Sequence, residues 1–257
     1  MNVKSMPYTI NKDNLKVEVF ESRTAMGLAA ANQVSEKIKE LLKTKSVVNI
    51  IFAAAPSQNE FLNELIKKDI DWARIHAFHM DEYIGLDVHA PQRFGNFLKD
   101  RLFEKVPFNT VQYLNGNAAN LGTECKRYTD LLDQHPVDMV CMGIGENTHL
   151  AFNDPHVADF NDEKAVKIVD LDLECRQQQV NDGCFGSTGE VPTHALTLTI
   201  PSLYKATYVY CIVPGEKKAS AVYHTLNESI SEKYPSTVLR SHPNAILFID
   251  EKSSSLI

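Results

Sequence analysis

The sequence predicts an α/β protein with a single doubly wound, mostly parallel sheet that carries helices on both faces. Three observations favour this fold: apolar runs of strand length, amphipathic segments of helix length between them, and the absence of a Pro/Gly/Ser-rich linker. The length of 257 residues fits one large α/β domain. We therefore expect residues 1–257 to form one domain of three layers.

Strands and helices alternate along the first half of the chain. Residues 1–14 are polar, and we expect an irregular lead-in there. The apolar or alternating runs that predict strands span residues 15–20, 47–52 and 74–80. The segments with helical spacing span residues 22–43, where Ser22 can cap the first turn, and residues 59–68, 92–104 and 123–134.

The same alternation continues to the end of the chain. Further strands are predicted at residues 137–142, 165–169, 195–200, 207–213 and 245–249. A helix is predicted to open at residues 214–218, and a short one spans residues 236–240. Residues 156–163 form a candidate ligand-covering loop, the region around Arg176 is polar, and the tail from Glu251 is expected to fray.

The composition excludes two classes of partner. The net charge of −7 argues against nucleic acid and against an anionic membrane, since both need clustered cations, but leaves room for a local pocket for a small anion. Five widely spaced cysteines without a Cys-x-x-Cys pair favour reduced thiols over disulfides or a zinc site. With no signal-peptide pattern and no apolar run near the ~20 residues of a membrane span, a cytoplasmic protein is expected.

A polar loop follows the apolar strand at residues 137–142. It opens with Gly143 and Gly145, which permit a tight turn beside a ligand, and continues with Asn147, His149 and Asp154. Groups capable of proton transfer just past a buried parallel strand lie where open α/β sheets bind ligands. Taken alone, a Gly-x-Gly segment favours an ordinary turn with a surface histidine, because short motifs produce many false positives.

Three other features fall at predicted strand ends. Asp81 and Glu82 follow the strand at residues 74–80, where two adjacent carboxylates are either a solvated turn or working acids at the same sheet edge as the loop. Ser57 lies in the turn before a helix, which suits an anion but also fits a plain connection. Lys218 in a first helical turn is unfavourable unless an anion lies there, and an exposed lysine is the alternative.

His76 and His79 raise the question of a metal site. Residues three apart on a strand point to opposite faces, so these two imidazoles cannot converge on one ion. We expect neither a metal nor another cofactor.

Several spaced segments together resemble the glucosamine-6-phosphate deaminase/isomerase family, which is related to 6-phosphogluconolactonases. The resemblance rests on Phe78-His-Met-Asp-Glu-Tyr83, Leu114-Asn-Gly-Asn117 and the loop Gly143-x-Gly-x-Asn-x-His149 followed by Phe152-Asn-Asp154. Val191-Pro192, Ala195-Leu-Thr197, Gly215-x-Lys-Lys-Ala219 and His242-Pro243 follow in the family's order. The covered region is most of the chain, and the implied fold is the Rossmann-like three-layer arrangement predicted above.

The resemblance implies an enzyme that isomerises and deaminates an amino sugar phosphate. It gives Asp81 the proton transfer between C2 and C1 and His149 the ring opening, with Asp154 orienting the imidazole and Asn147 completing the catalytic set. It gives Arg176 and Lys218 to the phosphate. The expected substrate-binding set is Ala55, Ser57, Gln58, Glu82, Gly143, Gly145, Arg176 and Lys218.

This sequence departs from the family pattern at four places. The Gly/Thr-rich phosphate loop is replaced by Ala53-Ala-Ala-Pro-Ser-Gln58, Thr148 stands where glycine is usual, and the shorter Asp154 stands where glutamate is usual. The Ser/Arg-rich segment associated with allosteric control is absent from residues 156–167, so we expect no activation by amino sugar phosphates.

Two other functions stay open at this stage. A 6-phosphogluconolactonase would also use the loop histidine, although lactonases usually carry Asp-Glu-Arg where this chain has Asp81-Glu-Tyr83. A non-catalytic sugar-phosphate-binding protein is the other alternative, but no helix-turn-helix precedes the strand at residues 47–52. The sequence leaves the oligomeric state open, a homo-oligomer included.

Overall fold

A central sheet of eight strands organises the computed structural model, which describes residues 6–257. Its spatial order is β1 (Tyr8–Lys12), β2 (Leu15–Phe20), β11 (Ala245–Asp250), β10 (Tyr208–Val213), β7 (Met139–Met142), β3 (Val48–Phe52), β4 (Ile75–His79) and β6 (Thr110–Gln112). Every neighbouring pair is parallel except β1 and β2. The predicted mostly parallel sheet is confirmed.

The described part of the chain contains seven α-helices around this sheet. They are α1 (Arg23–Leu42), α2 (Asn59–Leu65), α3 (Phe94–Leu98), α4 (Leu121–Gln134), α5 (Leu173–Asn181), α6 (Ile200–Tyr204) and α7 (Ala219–Asn227). Short 3-10 turns lie at Pro56–Gln58, Trp72–Arg74, Glu216–Lys218 and Pro235–Ser241.

Strand β3 shows why the helices lie on both faces. Successive side chains of a strand point to opposite sides, and Ile50 joins the apolar core that contains Val34 of α1, whereas Ile51 joins the core that contains Tyr128 of α4. Both isoleucines are fully buried. An apolar run of this kind is stable only when helices cover both of its faces, as predicted.

The N-terminal prediction was wrong in part. Instead of an irregular lead-in, β1 pairs antiparallel with β2 and forms the edge of the sheet. The turn between them places Asp13 in a left-handed conformation, with φ of 52°. The prediction for residues 1–5 lies outside the described residues. In this exposed edge strand polar residues alternate with apolar ones, and so polar a segment is easily taken for a loop, which explains the error.

A second sheet lies beside the first, which a single-sheet prediction did not include. It joins β5 (Asp81–Tyr83), β9 (His194–Leu198) and β8 (Val166–Asp170) in antiparallel pairs. Asp81 lies opposite Thr197 in this sheet. The predicted strands at residues 165–169 and 195–200 therefore exist, but they leave the central sheet.

Four smaller expectations were also corrected. The helix predicted at residues 92–104 divides into α3 and a π-helical turn at Lys99–Phe103. The polar region around Arg176 is helix α5, which Asp172 caps by accepting from the amide of Cys175. The C-terminal tail folds back, because buried Ser253 exchanges hydrogen bonds with Asp250. Residues 156–163 do not line the cavity described below.

None of the helices in residues 6–257 has the length and the apolar character that a membrane crossing requires.

Candidate active site

One cavity lies at the carboxyl ends of four neighbouring strands, β4, β3, β7 and β10. Ala53 follows β3, Met80 follows β4, Gly143 follows β7, and Lys218 lies in the turn after β10. Parallel strands deliver their following loops to a single edge, so segments far apart in sequence meet there. The predicted residues that line this cavity are Ala55, Ser57, Gln58, Asp81, Gly143, Gly145, His149 and Lys218.

Asp81 contributes a carboxyl group to the lining of the cavity. The backbone around it is fixed, because the amide of Leu198 donates to the carbonyl of Met80 at 2.8 Å and β5 pairs with β9. Burial raises the pKa of Asp81 well above its ordinary value, and the neighbouring Glu82 adds to the rise. A carboxyl group with a raised pKa is suited to accept and return a proton.

Glu82 faces away from the cavity. Its carboxylate accepts hydrogen bonds from the backbone amides of Tyr83, Phe94 and Gly95 at 2.9 to 3.1 Å, and Nε of Arg93 lies 3.7 Å away. Burial raises the pKa of Glu82, while the backbone hydrogen bonds and Arg93 oppose the rise. Glu82 thus holds the start of α3 against β5 instead of lining the cavity.

His149 is held in one orientation by two acceptors. Its Nδ1 lies 2.7 Å from Oδ1 of Asn147 and 3.0 Å from Oδ1 of Asp154. The amide nitrogen of Asn147 donates to Asp154 and to Asp172, which fixes the side-chain oxygen toward the imidazole. Because both neighbours of Nδ1 accept, Nδ1 carries the proton in the neutral ring and Nε2 is left as the basic nitrogen.

Helix α5 supports this arrangement from below. The amide of Asp172 donates to Oδ2 of Asp154 at 3.3 Å, and Oε1 of Gln178 accepts from the amide of Glu146 at 2.7 Å. Burial raises the pKa of Asp154, but the hydrogen bond and charge of His149, with Asn147 and the Asp172 amide, outweigh it and leave the pKa below its ordinary value. The ionised form of Asp154 is therefore favoured beside the imidazole of His149.

The loop from Gly143 to Asp154 requires close approach and left-handed backbone. A Cβ on Gly145 would lie 2.2 Å from Cε1 of His149, so this position admits no side chain. Thr148 and Ala151, on either side of the histidine, have φ of 71° and 51°. Such conformations cost about 1–3 kcal/mol each and persist where the surroundings enforce them. The Thr148 carbonyl accepts from the amide of Ser236, which ties the loop to the turn Pro235–Ser241.

Besides Glu82, three predicted residues do not line the cavity themselves. Asn147 and Asp154 reach it through His149, as described above. Arg176 is turned away, with its guanidinium donating to the carbonyls of Thr188 and Val191. The phosphate role that the resemblance implies for Arg176 is therefore not supported by the position of its side chain.

Sequence reasoning missed Gln178 and Gln179, which line the cavity from α5. Both are buried, at 5% and 6% exposure. The signal that was available is Asp172 three residues before Cys175, a helix N-cap pattern. Even with the helix recognised, a run of three glutamines does not indicate which one faces a cavity.

Two groups of side chains in the described part of the chain could hold a metal ion, and both include Asp154. One consists of His149, Asp154 and Cys175, and the other of Asp154, His156 and Asp172. Both oxygens of Asp154 already accept hydrogen bonds, one from the side-chain amide of Asn147 and the other from the backbone amide of Asp172. We therefore treat Asp154 as the partner of the imidazole. His76 and His79 diverge as predicted, since Nε2 of His79 accepts from the Leu114 amide while His76 contacts His135.

The sequence matches a protein family described as glucosamine-6-phosphate isomerases/6-phosphogluconolactonase over residues 21–248. The chain belongs to this family. It is similar to a glucosamine-6-phosphate deaminase of Bacillus cereus (strain B4264), with 36% identity over 219 residues, or 85% of this chain and 82% of the relative. A protein of the same name from Bacillus thuringiensis (strain Al Hakam) matches to the same extent.

Solved structures of the family share the fold. A structure described as a monomeric glucosamine-6-phosphate deaminase superposes with a TM-score of 0.85 at 28% identity, covering 94% of this chain and 99% of the other. A 6-phosphogluconolactonase from Thermotoga maritima superposes with a TM-score of 0.75 at 19% identity, covering 91% and 99%. The second likeness concerns the fold alone.

Proposed function

We propose that this chain is an aldose–ketose isomerase/deaminase that converts an amino sugar 6-phosphate into the ketose 6-phosphate and ammonia. Glucosamine 6-phosphate is the first candidate substrate and galactosamine 6-phosphate the second. The observation that carries the proposal is the cavity shared by Asp81, a buried carboxyl group, and His149, an imidazole held by a carboxylate. The 36% identity to a glucosamine-6-phosphate deaminase supports it.

Ring opening falls to His149. The closed sugar opens when the hydroxyl at C1 loses a proton and the ring oxygen gains one. With Nδ1 bonded to Asn147 and Asp154, Nε2 is the nitrogen that exchanges a proton with the sugar. The carboxylate of Asp154 stabilises the imidazolium that forms during this exchange.

Isomerisation falls to Asp81. Its carboxylate removes a proton from C2 of the open chain and delivers a proton to C1 on one face of the intermediate, while the aldehyde oxygen at C1 takes a proton from the C2 ammonium group and becomes a hydroxyl. For a substrate with an amine at C2, this transfer leaves a C2 iminium ion. Water adds to C2, the C–N bond breaks, and ammonia leaves with the ketose. Burial favours the protonated form of Asp81, so the carboxyl group carries a proton between the two transfers, and that proton exchanges with solvent before delivery to C1.

The loop that contains Ser57 and Gln58, together with Lys218, binds the phosphate group of the sugar. Lys218 is buried against the cavity at 7% exposure. A buried ammonium group favours an anion in contact with it, which is the reading of Lys218 that the sequence left open.

The experiment that tests the proposal is an ammonia-release screen of the purified protein. The panel contains glucosamine, galactosamine and mannosamine 6-phosphates, with 6-phosphogluconolactone as the control for lactone hydrolysis. We expect ammonia and a ketose 6-phosphate from at least one of the first two sugars. Folded protein that hydrolyses the lactone and releases no ammonia would transfer the assignment to the lactonases.

A further inference from the structure

Part of the cavity lining consists of two side-chain amides, a hydroxyl and one ammonium group. We call it the amide end and define it by Ser57, Gln58, Gln179 and Lys218. Helix α5 lies against the turn that carries the lysine, because Nζ of the adjacent Lys217 donates to the carbonyl of Asn181 at 2.7 Å. Under the proposed function, this end receives the sugar's phosphate.

The amide end carries one positive charge. Among the described residues that line the cavity, Lys218 is the only lysine or arginine, and Arg176 is committed to two backbone carbonyls elsewhere. A phosphate monoester carries about 1.5 to 2 negative charges at pH 7. One ammonium group therefore leaves about one charge of the dianion without a partner in a buried site, which is costly.

Gln58 presents an acceptor that lacks a donor. Its Nε2 donates to Oγ of Ser57 and to the carbonyl of Ile212, both at 3.1 Å. A carbonyl can only accept, so this contact fixes which end of the amide is nitrogen. Oε1 is then left buried without a hydrogen-bond partner in the described chain. A phosphate dianion has no proton to offer it, whereas the monoanion has one P–OH group.

We propose that the amide end binds the sugar phosphate as its monoanion, with the P–OH group donating to Oε1 of Gln58 and the single negative charge paired with Lys218. Charge balance and the unfilled acceptor point to the same ionisation state. This inference rests on the proposed function, and it concerns which ionic form of the substrate the enzyme selects.

The charged groups around the amide end set the conditions for a test. Burial lowers the pKa of Lys218, Asp182 and Glu146 oppose this, and Lys217 adds to it. Cys175 also interacts with the ammonium group, and Asp81 and His149 line the same cavity. The pH dependence of Kd for a single ligand would combine the ionisation of these groups with that of the ligand. The test therefore uses the ratio of the Kd values of two ligands.

The experiment compares 2-amino-2-deoxyglucitol 6-phosphate with its 6-sulfate analogue by calorimetry from pH 5.5 to 8.5. Neither alditol can close a ring or isomerise, and the sulfate ester keeps one negative charge throughout. We expect the ratio of Kd for the phosphate to Kd for the sulfate to rise about tenfold per pH unit above about pH 6, where the phosphate loses its second proton. A ratio that stays flat or falls with pH would overturn the inference.

Two variants test the charge balance directly. Gln179→Arg adds a cation at the amide end, and we expect it to flatten the rise of the ratio. Gln177→Arg adds the same charge on the exposed side of α5, where Gln177 bonds Asn181, and we expect the wild-type rise. A Gln179→Arg protein that binds both ligands and keeps the full rise would contradict the inference, as would a Gln177→Arg protein that loses it.

The proposed function and this inference fail in different ways. Ammonia release from glucosamine 6-phosphate at pH 6 tests the function without reference to the phosphate's ionic form. If the protein releases ammonia but its ratio of Kd values does not change with pH, the proposed function stands and the inference that the phosphate binds as its monoanion is refuted.

Discussion

Asp81 lies in an environment that disfavours its ionised form. It is 6% exposed, next to the carboxylate of Glu82, and burial is the larger cause of its raised pKa. A folded-state pKa above the unfolded value means that the free energy of unfolding falls as pH rises from the ordinary value of 3.8 toward the folded one. The base of the proposed reaction therefore destabilises the fold at neutral pH.

Asp81→Asn is expected to separate activity from stability. The amide cannot take the proton, so kcat should fall by about 10²- to 10⁴-fold. The free energy of unfolding at pH 7 should rise by roughly 0.5–2 kcal/mol, and the gain should shrink as pH falls below about 4. Urea denaturation across pH measures the second effect.

The matched control is Asp69→Asn, which makes the same charge change at an exposed residue outside the cavity. It should leave kcat unchanged and alter stability by less than about 0.5 kcal/mol. If Asp81→Asn keeps full activity, the proton-transfer role is wrong.

The positions of Asp81, His149 and Asp154 could be predicted because each follows a recognisable strand within a recognisable motif. Gln179 could not, because its role depends on which side of α5 faces the cavity. Arg176 shows the same limit: its place in the sequence implied a phosphate ligand, and tertiary contacts with the carbonyls of Thr188 and Val191 turned it away.

At the scale of elements, the loop from Gly143 to Asp154 leaves no room for a side chain at Gly145. Gly145 has the imidazole of His149 where a Cβ would lie. Its amide donates to the carbonyl of His149 at 2.9 Å, so the backbone cannot easily retreat. The ring would have to move instead.

Gly145→Ala is therefore expected to displace the imidazole and to lower kcat by about 100-fold, since a shift of 1 Å in a catalytic group can cost that much. Steady-state kinetics measure the effect. Gly189→Ala is the control, because its added Cβ would meet nothing closer than 3.8 Å and the residue is exposed. Equal kcat in the two variants would refute the proposed placement of His149.

Elements with strong apolar patterns were predicted well, and weakly patterned ones were not. Strands such as β3 and β10 consist mostly of buried apolar residues, so sequence alone located them within one residue. Helix α5 has no apolar stripe, because its buried side includes Gln178 and Gln179 lining a polar cavity. The polar residues that line the cavity removed the amphipathic signal of the helix.

At the scale of the molecule, two sheets are joined beneath the cavity. Thr197 of β9 lies opposite Asp81, and its Oγ1 accepts from the amide of Phe152 in the loop from Gly143 to Asp154 at 3.1 Å. The small sheet thus connects the carboxyl group to the loop that carries the histidine. Sequence could not predict this sheet, because β5 has three residues and its partner follows more than a hundred residues later.

Thr197→Val is expected to weaken this connection. It leaves the buried amide of Phe152 without its acceptor, which should lower the free energy of unfolding by about 1–3 kcal/mol. Urea denaturation measures it, with exposed Thr193→Val as the control, whose change should stay within about 0.5 kcal/mol. Equal stability of both variants would mean that the two sheets are not coupled through Thr197.

The central claim is that Asp81 moves one proton between C2 and C1 of an amino sugar 6-phosphate. The most direct measurement is turnover of glucosamine 6-phosphate in D2O, with the ketose 6-phosphate analysed by NMR and ammonia determined in parallel. We expect deuterium at one of the two C1 positions of the ketose, ammonia in equal amount, and neither with Asp81→Asn. Two results would contradict the account. One is an undeuterated ketose that Asp81→Asn forms as fast as the wild-type protein does, and the other is deuterium distributed equally between the two C1 positions.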